Sequence, residues 1–471
     1  MTRRIARQLA VLALLALPAG CRNFLTGGEL STDPNRVVTA TPLLLFESTQ
    51  PKLWTEMGSD LDRNAVMFMR QMAGAQRQYQ SIYQYSVDES TAGGFYASLY
   101  GVGALYDFRN IEQMASASGD SLLLGITQVE EAMMMGTGAD VFGDIVYSKA
   151  FSGPNPALDP QMQVYDSLQA LLSRAIVNLS ATGPSNAGPG TVDMAYSGSA
   201  TKWKKLAYTL KARYYMHTAE VRGTPAYQAA LAATQNGMQV PSDDYMATYS
   251  GASGGQNLWY QFDIVQRSGY IAPDPYYVNF LTNTPDPVFG TPRNDPRVNL
   301  YFNADRSDLN NTWIGVQGNG NAPTEYVTAA ENLLIGAEAA YKTGNPTMAL
   351  SLLNQERATY QFPKALAPSG YVVPTYPAGT TGAPLLQAIL DEKYIALFQN
   401  MEVWNDYKRN CYPNLPLAPG AIQNKIPARL FYDTSIRNTN TSIPAPSQQP
   451  IRNANDPANA TDPFGNACIG Q

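Results

Sequence analysis

The spacing of apolar residues changes along this chain of 471 residues, and each change marks a segment. An unbroken apolar run, Leu9 to Leu17, follows Arg3, Arg4 and Arg7 and ends in Pro18, Ala19 and Gly20. A helix needs about 20 apolar residues to cross a bilayer, and this run is far shorter. A basic start, a short apolar run and a small-residue exit predict a secretory signal over 1–20. From Arg22 to about Thr41 the pattern is polar, with Gly27-Gly28 and Asp33-Pro34-Asn35, the composition of a tether.

From about residue 42 to 235 apolar positions recur with a helical period of about 3.6. The stretch 158–179 predicts a helix with Asp159 as cap and Pro160 in the first turn. Val164, Leu168, Leu171, Leu172, Ala175, Ile176 and Leu179 form its stripe. A second helix is predicted over 201–221, with Trp203, Leu206, Leu210 and Tyr214 on one face. It breaks at Gly223 and Pro225, and another begins at Ala226. Over 236–325 the period disappears. Gly, Pro, Asn, Asp and Tyr crowd together, and so many aromatic residues argue against disorder.

Helical periodicity returns at about Glu325. Residues 330–358 place Ala337, Gly344 and Ala349 as in a tetratricopeptide unit, a helix, a short turn and a second helix. One such pair cannot bury its own face, so the stretches 201–233 and 95–135 are expected as partners. A last amphipathic helix is predicted over 384–398, and the chain after Asn410 is rich in Pro and Asn. The expected fold is all-α: tetratricopeptide-like helical pairs with long irregular loop insertions. The expected organisation is a signal peptide at 1–20, a tether at 21–41 and one helical domain over 42–471.

Composition narrows the function. Charged residues are 15%, against roughly 25% in a typical soluble domain. The net charge of −6 becomes −9 once Arg3, Arg4 and Arg7 leave with the signal. No basic block is present, which argues against nucleic acid. The three cysteines, Cys21, Cys411 and Cys468, form no CxxC and no Cys/His cluster, so no structural zinc site is expected. Cys411 and Cys468 either pair in an oxidising compartment or remain two thiols.

Catalytic patterns are scarce. The single histidine, His217, lies in a helical stretch and is expected to be structural. Without another, a Ser-His-Asp triad or a His-ligated metal would have to use it. No P-loop is present; residues 315–321 are Gly-rich but lack a lysine. Asp60, Asp62 and Asn64 begin like a calcium loop, but Ala65 replaces its glycine and Gln71 its closing glutamate. That stretch is expected to be an exposed helix face, and no metal or cofactor is expected. Paired carboxylates among Glu130, Glu131, Asp140 and Asp144 remain the basis of an alternative, a secreted carbohydrate-active hydrolase. Asp144 and Glu392 are expected to cap, to hold turns, or to pair with Lys393, Lys408 or Arg409. Glu402, Trp404, Asp406, Lys408 and Arg409 are expected to form an ion network that docks the C-terminal segment.

Tyrosines outnumber phenylalanines 29 to 15. Tyr and Trp offer flat apolar faces with polar edges, suited to sugar rings. One cluster holds Arg77, Tyr79, Tyr83 and Tyr85. The other holds Trp259, Tyr260, Arg267, Tyr270, Tyr276, Tyr277 and Trp313. The two are expected to converge on one exposed groove, with Trp259 and Tyr83 as ligand contacts.

Several stretches together resemble the SusD/RagB family, its SusD-like variant group in particular. Leu17-Pro18-Ala19-Gly20-Cys21 resembles a bacterial lipobox, with Pro18 where Leu is usual, and CRNFL before DPN resembles the family's start. ADVFGDIVYSKAF (139–151) resembles a Gly-Asp-x-Pro-Tyr-Ser motif, with Val146 in place of Pro. YSGSATKWKKLAYTLKARYYM (196–216), NDPRVNLYF (294–302) and YVTAAENLLIGAEAAYKTG (326–344) resemble further family segments, as do residues 389–415 and IPARLFYDTSIRNTN (426–440). The resemblance implies a helical tetratricopeptide-like scaffold and acylation of Cys21. It implies a non-catalytic outer-membrane lipoprotein that captures nutrients, commonly glycans, beside a TonB-dependent SusC-type transporter. In that family the region after the first long helix often contributes to the binding face. A helical-repeat scaffold that binds only protein is the third reading.

Overall fold

The computed structural model describes residues 40–311, 319–360 and 372–468. Cys21, the signal, almost all of the tether, and Trp313 lie outside them. Helices of seven or more residues are labelled in chain order. The first, α1 (Pro42–Met57), begins where the polar segment ends. Thr41 Oγ1 accepts from Leu44 N at 3.2 Å, and Pro42 takes a position that needs no N–H donor. The chain continues with α2 (Asp60–Phe68), strand β1 (Met72–Gly74), α3 (Arg77–Tyr83) and α4 (Leu105–Ser118).

The centre of the molecule is α5 (Ser121–Phe142), buried at every residue from Gly125 to Phe142. Having no exposed face over that span, it must be enclosed on all sides. Helices α1, α4, α6 (Gln161–Asn178) and α7 (Ala200–His217) enclose it. Gly136 permits the closest approach: a Cβ there would lie 2.1 Å from the Tyr214 hydroxyl of α7. That hydroxyl donates to Ala132 O at 2.8 Å.

Helical pairs extend this core. Helix α8 (Thr224–Thr234) packs back on α7 and meets α10 (Ala329–Lys342), which turns through Gly344 into α11 (Pro346–Arg357). Gly344 has φ +84°, and Asn345 caps α11 by accepting from Met348 N at 3.1 Å. Ala337, Ala340 and Ala349 are buried between α10, α11 and α12 (Gly382–Ala396), so small side chains set the close spacing. Helix α13 (Glu402–Asn410) follows. The fold is all-α and tetratricopeptide-like, as the periodicity predicts.

The described part of the irregular region is organised around two small antiparallel sheets. Strand β1 pairs with β3 (Ile271–Pro273), Met72 opposite Pro273. Strand β2 (Tyr245–Ala247) pairs with β4 (Thr324–Val327). Between β2 and β3 lies a π-helix, Tyr260–Gln266, and after β3 comes α9 (Pro275–Thr282).

Three local expectations change. Asp159 does not cap α6. It accepts from Tyr147 N and Ser148 N, both at 2.8 Å, while Asp144 Oδ1 takes Gln161 N at 2.8 Å. Glu392 pairs with Arg297 and Arg357, not with Lys393, Lys408 or Arg409. Those last cations serve others: Lys393 and Arg409 hold Glu338, and Lys408 donates to Asp140 O at 2.7 Å. The segment Asp60–Asn64 is helical but not exposed, since Asp62 and Asn64 are buried.

The network around α13 does dock the C-terminal segment. Trp404 Nε1 donates to Pro427 O at 2.7 Å, Asn455 reaches His217 O and Asn459 reaches Arg409 O, both at 3.1 Å. Cys411 and Cys468 are joined as a disulfide across 57 positions.

Candidate functional site

The two aromatic clusters converge, but through their buried rings. Gly74 lets α3 fold tightly back on β1, because a Cβ there would lie 1.9 Å from Tyr79 O. With β1 paired to β3, the Tyr79 ring meets Phe262 at 4.9 Å and Tyr270 at 6.5 Å. Tyr83 donates to Asp274 Oδ2 at 2.6 Å. Asp274 also holds Arg70 at 2.9 Å and caps α9 by accepting from Tyr276 N at 2.8 Å. Burial first, then the Asp274 carboxylate, pushes the Tyr83 hydroxyl up, so it stays a donor.

Five of the expected contacts are therefore core residues. Tyr79, Tyr83, Tyr85, Trp259 and Tyr277 are all buried. The Tyr85 hydroxyl accepts from Ala418 N at 3.0 Å. Trp259 Nε1 donates to Asp62 Oδ2 at 2.6 Å. Tyr277 stacks on Phe398 at 5.6 Å and donates to Ile395 O at 3.2 Å. For Tyr83, Trp259 and Tyr277 the ring is spent on packing and the polar edge on a partner, which leaves neither for a ligand, while Tyr79 and Tyr85 each show only an edge to a cavity.

The other members stand nearer solvent. Arg77 and Arg267 are exposed, and Tyr260, Tyr270 and Tyr276 are half-buried. The Arg267 guanidinium lies 5.5 Å from the Tyr270 ring, and that of Arg70 lies 5.2 Å from Tyr276. Beside this face opens a cavity of about 360 Å³, lined by Asp60, Asn64, Gln78, Tyr79, Ser86, Asp88 and their neighbours. Asp60 accepts from Arg63 at 2.9 Å, and Arg63 packs 4.4 Å from the Phe262 ring. Beneath, burial raises Asp62 to about 7, against the pull of Trp259 and Arg63. The lining offers hydroxyls, amides and carboxylates and is more polar than apolar, so it suits a polar ligand.

The carboxylates of the hydrolase reading have local partners. Glu130 is buried and accepts from Thr49 at 2.7 Å. Glu131 takes Arg109 at 2.8 Å and Tyr147 at 2.7 Å. Asp140 takes Tyr165 at 2.6 Å. His217 lies between Asp140 and Glu402, and the three come within 4.8 Å, a spacing that would also suit a metal ion. Both ring nitrogens are at hydrogen-bond distance from a carboxylate, however, and Arg213 lies 3.5 Å from Glu402. That arrangement suits a protonated ring held between two acids.

Comparison with known proteins places the whole architecture. The family model SusD-like, described as starch-binding and associating with the outer membrane, matches residues 34–433. Among curated proteins no sequence matches. A SusD/RagB family protein of Bacteroides thetaiotaomicron is similar in structure, at 18% identity and TM-score 0.62, covering 86% of this chain and 95% of that one. A chitin-binding SusD homologue of Flavobacterium johnsoniae is similar at 17% identity and TM-score 0.66, covering 88% and 99%. A SusD homologue of Bacteroides fragilis gives 17% identity, TM-score 0.66 and coverage of 91% and 100%. At such identities the likeness concerns the fold. With the family model spanning most of its length, the chain belongs to the SusD-like family.

Proposed function

We propose that this protein is a lipid-anchored outer-membrane receptor that captures glycans and passes them unchanged to a TonB-dependent SusC-type transporter. Family membership over residues 34–433 carries the reading. The neighbour described as chitin-binding supports a glycan as ligand. In this reading residues 1–20 are a signal, Cys21 is acylated, 21–41 tether the protein and 42–471 form one domain. Two acyl chains hold such a protein stably, since each buried CH₂ contributes ~0.8 kcal/mol. No helix of the described residues is long and apolar enough to cross a membrane, which fits a protein held by its acyl chains.

The glycan face is assigned to Arg77, Tyr260, Arg267 and Tyr270 beside the cavity of Asp60, Gln78, Ser86 and Asp88. Rings there stack on sugar C–H faces while the polar lining takes hydroxyls. Titration calorimetry of the soluble body with α-glucan and chitin oligosaccharides tests capture. Mass spectrometry of the native N-terminus tests acylation. Cleavage of the bound oligosaccharide, lost on mutating two facing carboxylates, would replace this reading with the hydrolase.

A further inference from the structure

Residues 85–90 separate two cavities. Ser86, Asp88 and Ser90 line the one described above, while Tyr85 and Val87 line a second of about 410 Å³. Alternate residues of one short stretch thus serve opposite sides. The C-terminal segment forms most of the wall of the second cavity. Ile422 N donates to Gln84 O at 3.0 Å, and Gln423 donates to Tyr85 O at 3.2 Å.

The charge of the two cavities differs. The first carries Asp60 and Asp88. No Asp or Glu lines the second, which has Lys425, Arg429 and Arg452. Arg452 is neutralised by Asp456, at 2.6 and 2.7 Å. Arg429 is buried, and among the described residues its N–H groups donate to neutral oxygens, Phe142 O at 2.6 Å and Pro450 O at 3.0 Å. Its guanidinium lies 5.2 Å from the Tyr432 ring, and Asp144 acts on it from beyond ion-pair distance. Lys425 is exposed, and among the described residues no carboxylate lies within ion-pair distance of it. Two positive charges thus stand at one cavity without a paired acid, in a chain whose net charge is −6.

A buried guanidinium is costly unless an anion compensates it, and a cavity focuses the resulting positive potential. Phe431, half-buried in the wall, adds a flat ring beside the charge. We infer that this second cavity takes the anionic unit, carboxylate or sulfate ester, of an acidic saccharide. Lys425 makes the direct ion pair, and Arg429 sets the potential from below. The inference rests on the glycan-binding reading above.

The test is calorimetry of the soluble body with two matched pairs of probes. One is an oligogalacturonide and its carboxyl-reduced form; the other is a sulfated dextran oligosaccharide and plain dextran. The acidic member of at least one pair should bind about tenfold tighter, as a charge-assisted contact allows. Which pair responds distinguishes carboxylate from sulfate. The preference should shrink with added salt. It should vanish in Lys425→Gln and persist in Lys149→Gln, which removes the same charge elsewhere on the surface. Neutral probes that bind as tightly as acidic ones would overturn the inference and leave the glycan reading standing. So would an acidic preference that survives Lys425→Gln. If no probe of any charge binds, this inference falls, and the glycan reading is decided by the α-glucan and chitin titrations above.

Discussion

The indole N–H of Trp259 donates to Asp62 Oδ2 at 2.6 Å, and neither side chain meets solvent. The contact joins the irregular region to α2 across 197 positions. Trp259→Ala should therefore cost about 3–5 kcal/mol of folding free energy, as for other buried tryptophans. Trp259→Phe keeps most of the packing but strands the carboxyl, and should cost about 1–3 kcal/mol. Urea unfolding measures both. A fully stable Trp259→Ala that has lost only its ligand would return the ring to the binding face.

That pair also marks where sequence reading stops. Periodicity is a local signal, and it located α6, α7 and the α10–α11 turn. Proximity of the two aromatic clusters was legible too, because both are short and dense. Which rings face outward was not, since core and ligand both favour flat rings with polar edges. Burial is decided by partners far along the chain: Asp274 lies 191 positions from Tyr83, and Ala418 lies 333 from Tyr85. The cap of α6 shows the same limit. Asp159 has the right spacing, but the long turn brings Asp144 to Gln161 N and leaves Asp159 to tie residues 147 and 148.

The exposed members of the clusters should behave in the opposite way to Trp259. Arg267 is exposed, and its guanidinium lies against the Tyr270 ring. Arg267→Ala should change stability by less than about 0.5 kcal/mol. If the glycan face is correctly assigned, the same variant should bind oligosaccharide about tenfold more weakly in calorimetry. Unchanged affinity in Arg267→Ala, and also in Tyr270→Ala, would move the site elsewhere.

Glu392 gives a test of the scaffold. Its two oxygens take Arg297 and Arg357, both buried, and Arg297 is held as well by Asp295 at 2.8 Å. Burial works against the Glu392 carboxylate, but the two guanidinium groups outweigh it and hold the group at about 2. Glu392→Ala would leave two buried cations with less compensation, at a cost of about 3–5 kcal/mol. Thermal unfolding of the variant reads this. A loss under about 1 kcal/mol would show that Asp295 and the buried Glu356 compensate the two cations without it.

His217 gives the sharpest pH dependence, and as the single histidine its titration needs no assignment. Nδ1 lies 2.8 Å from Asp140 Oδ1 and Nε2 2.7 Å from Glu402 Oε2. Burial disfavours the charged ring, yet the two carboxylates outweigh it and raise the group from 6.5 to about 9. A value raised on folding means that the folded state binds the proton more tightly. The stabilisation is then complete below about pH 6.5 and disappears as pH rises through about 9. A shift of this size corresponds to about 3 kcal/mol. Lys408 works in the opposite sense, because burial lowers it from 10.5 to about 8, so its cost is relieved as pH rises from about 8 towards 10.5, which overlaps the upper part of the His217 range. The informative quantity is therefore the difference in unfolding free energy between the protein and His217→Gln, followed from pH 6 to 10. That difference should shrink as pH rises, and proton NMR of the tag-free protein should show the ring still protonated near neutrality. A ring that titrates close to its ordinary value would mean that Asp140 and Glu402 do not hold it charged.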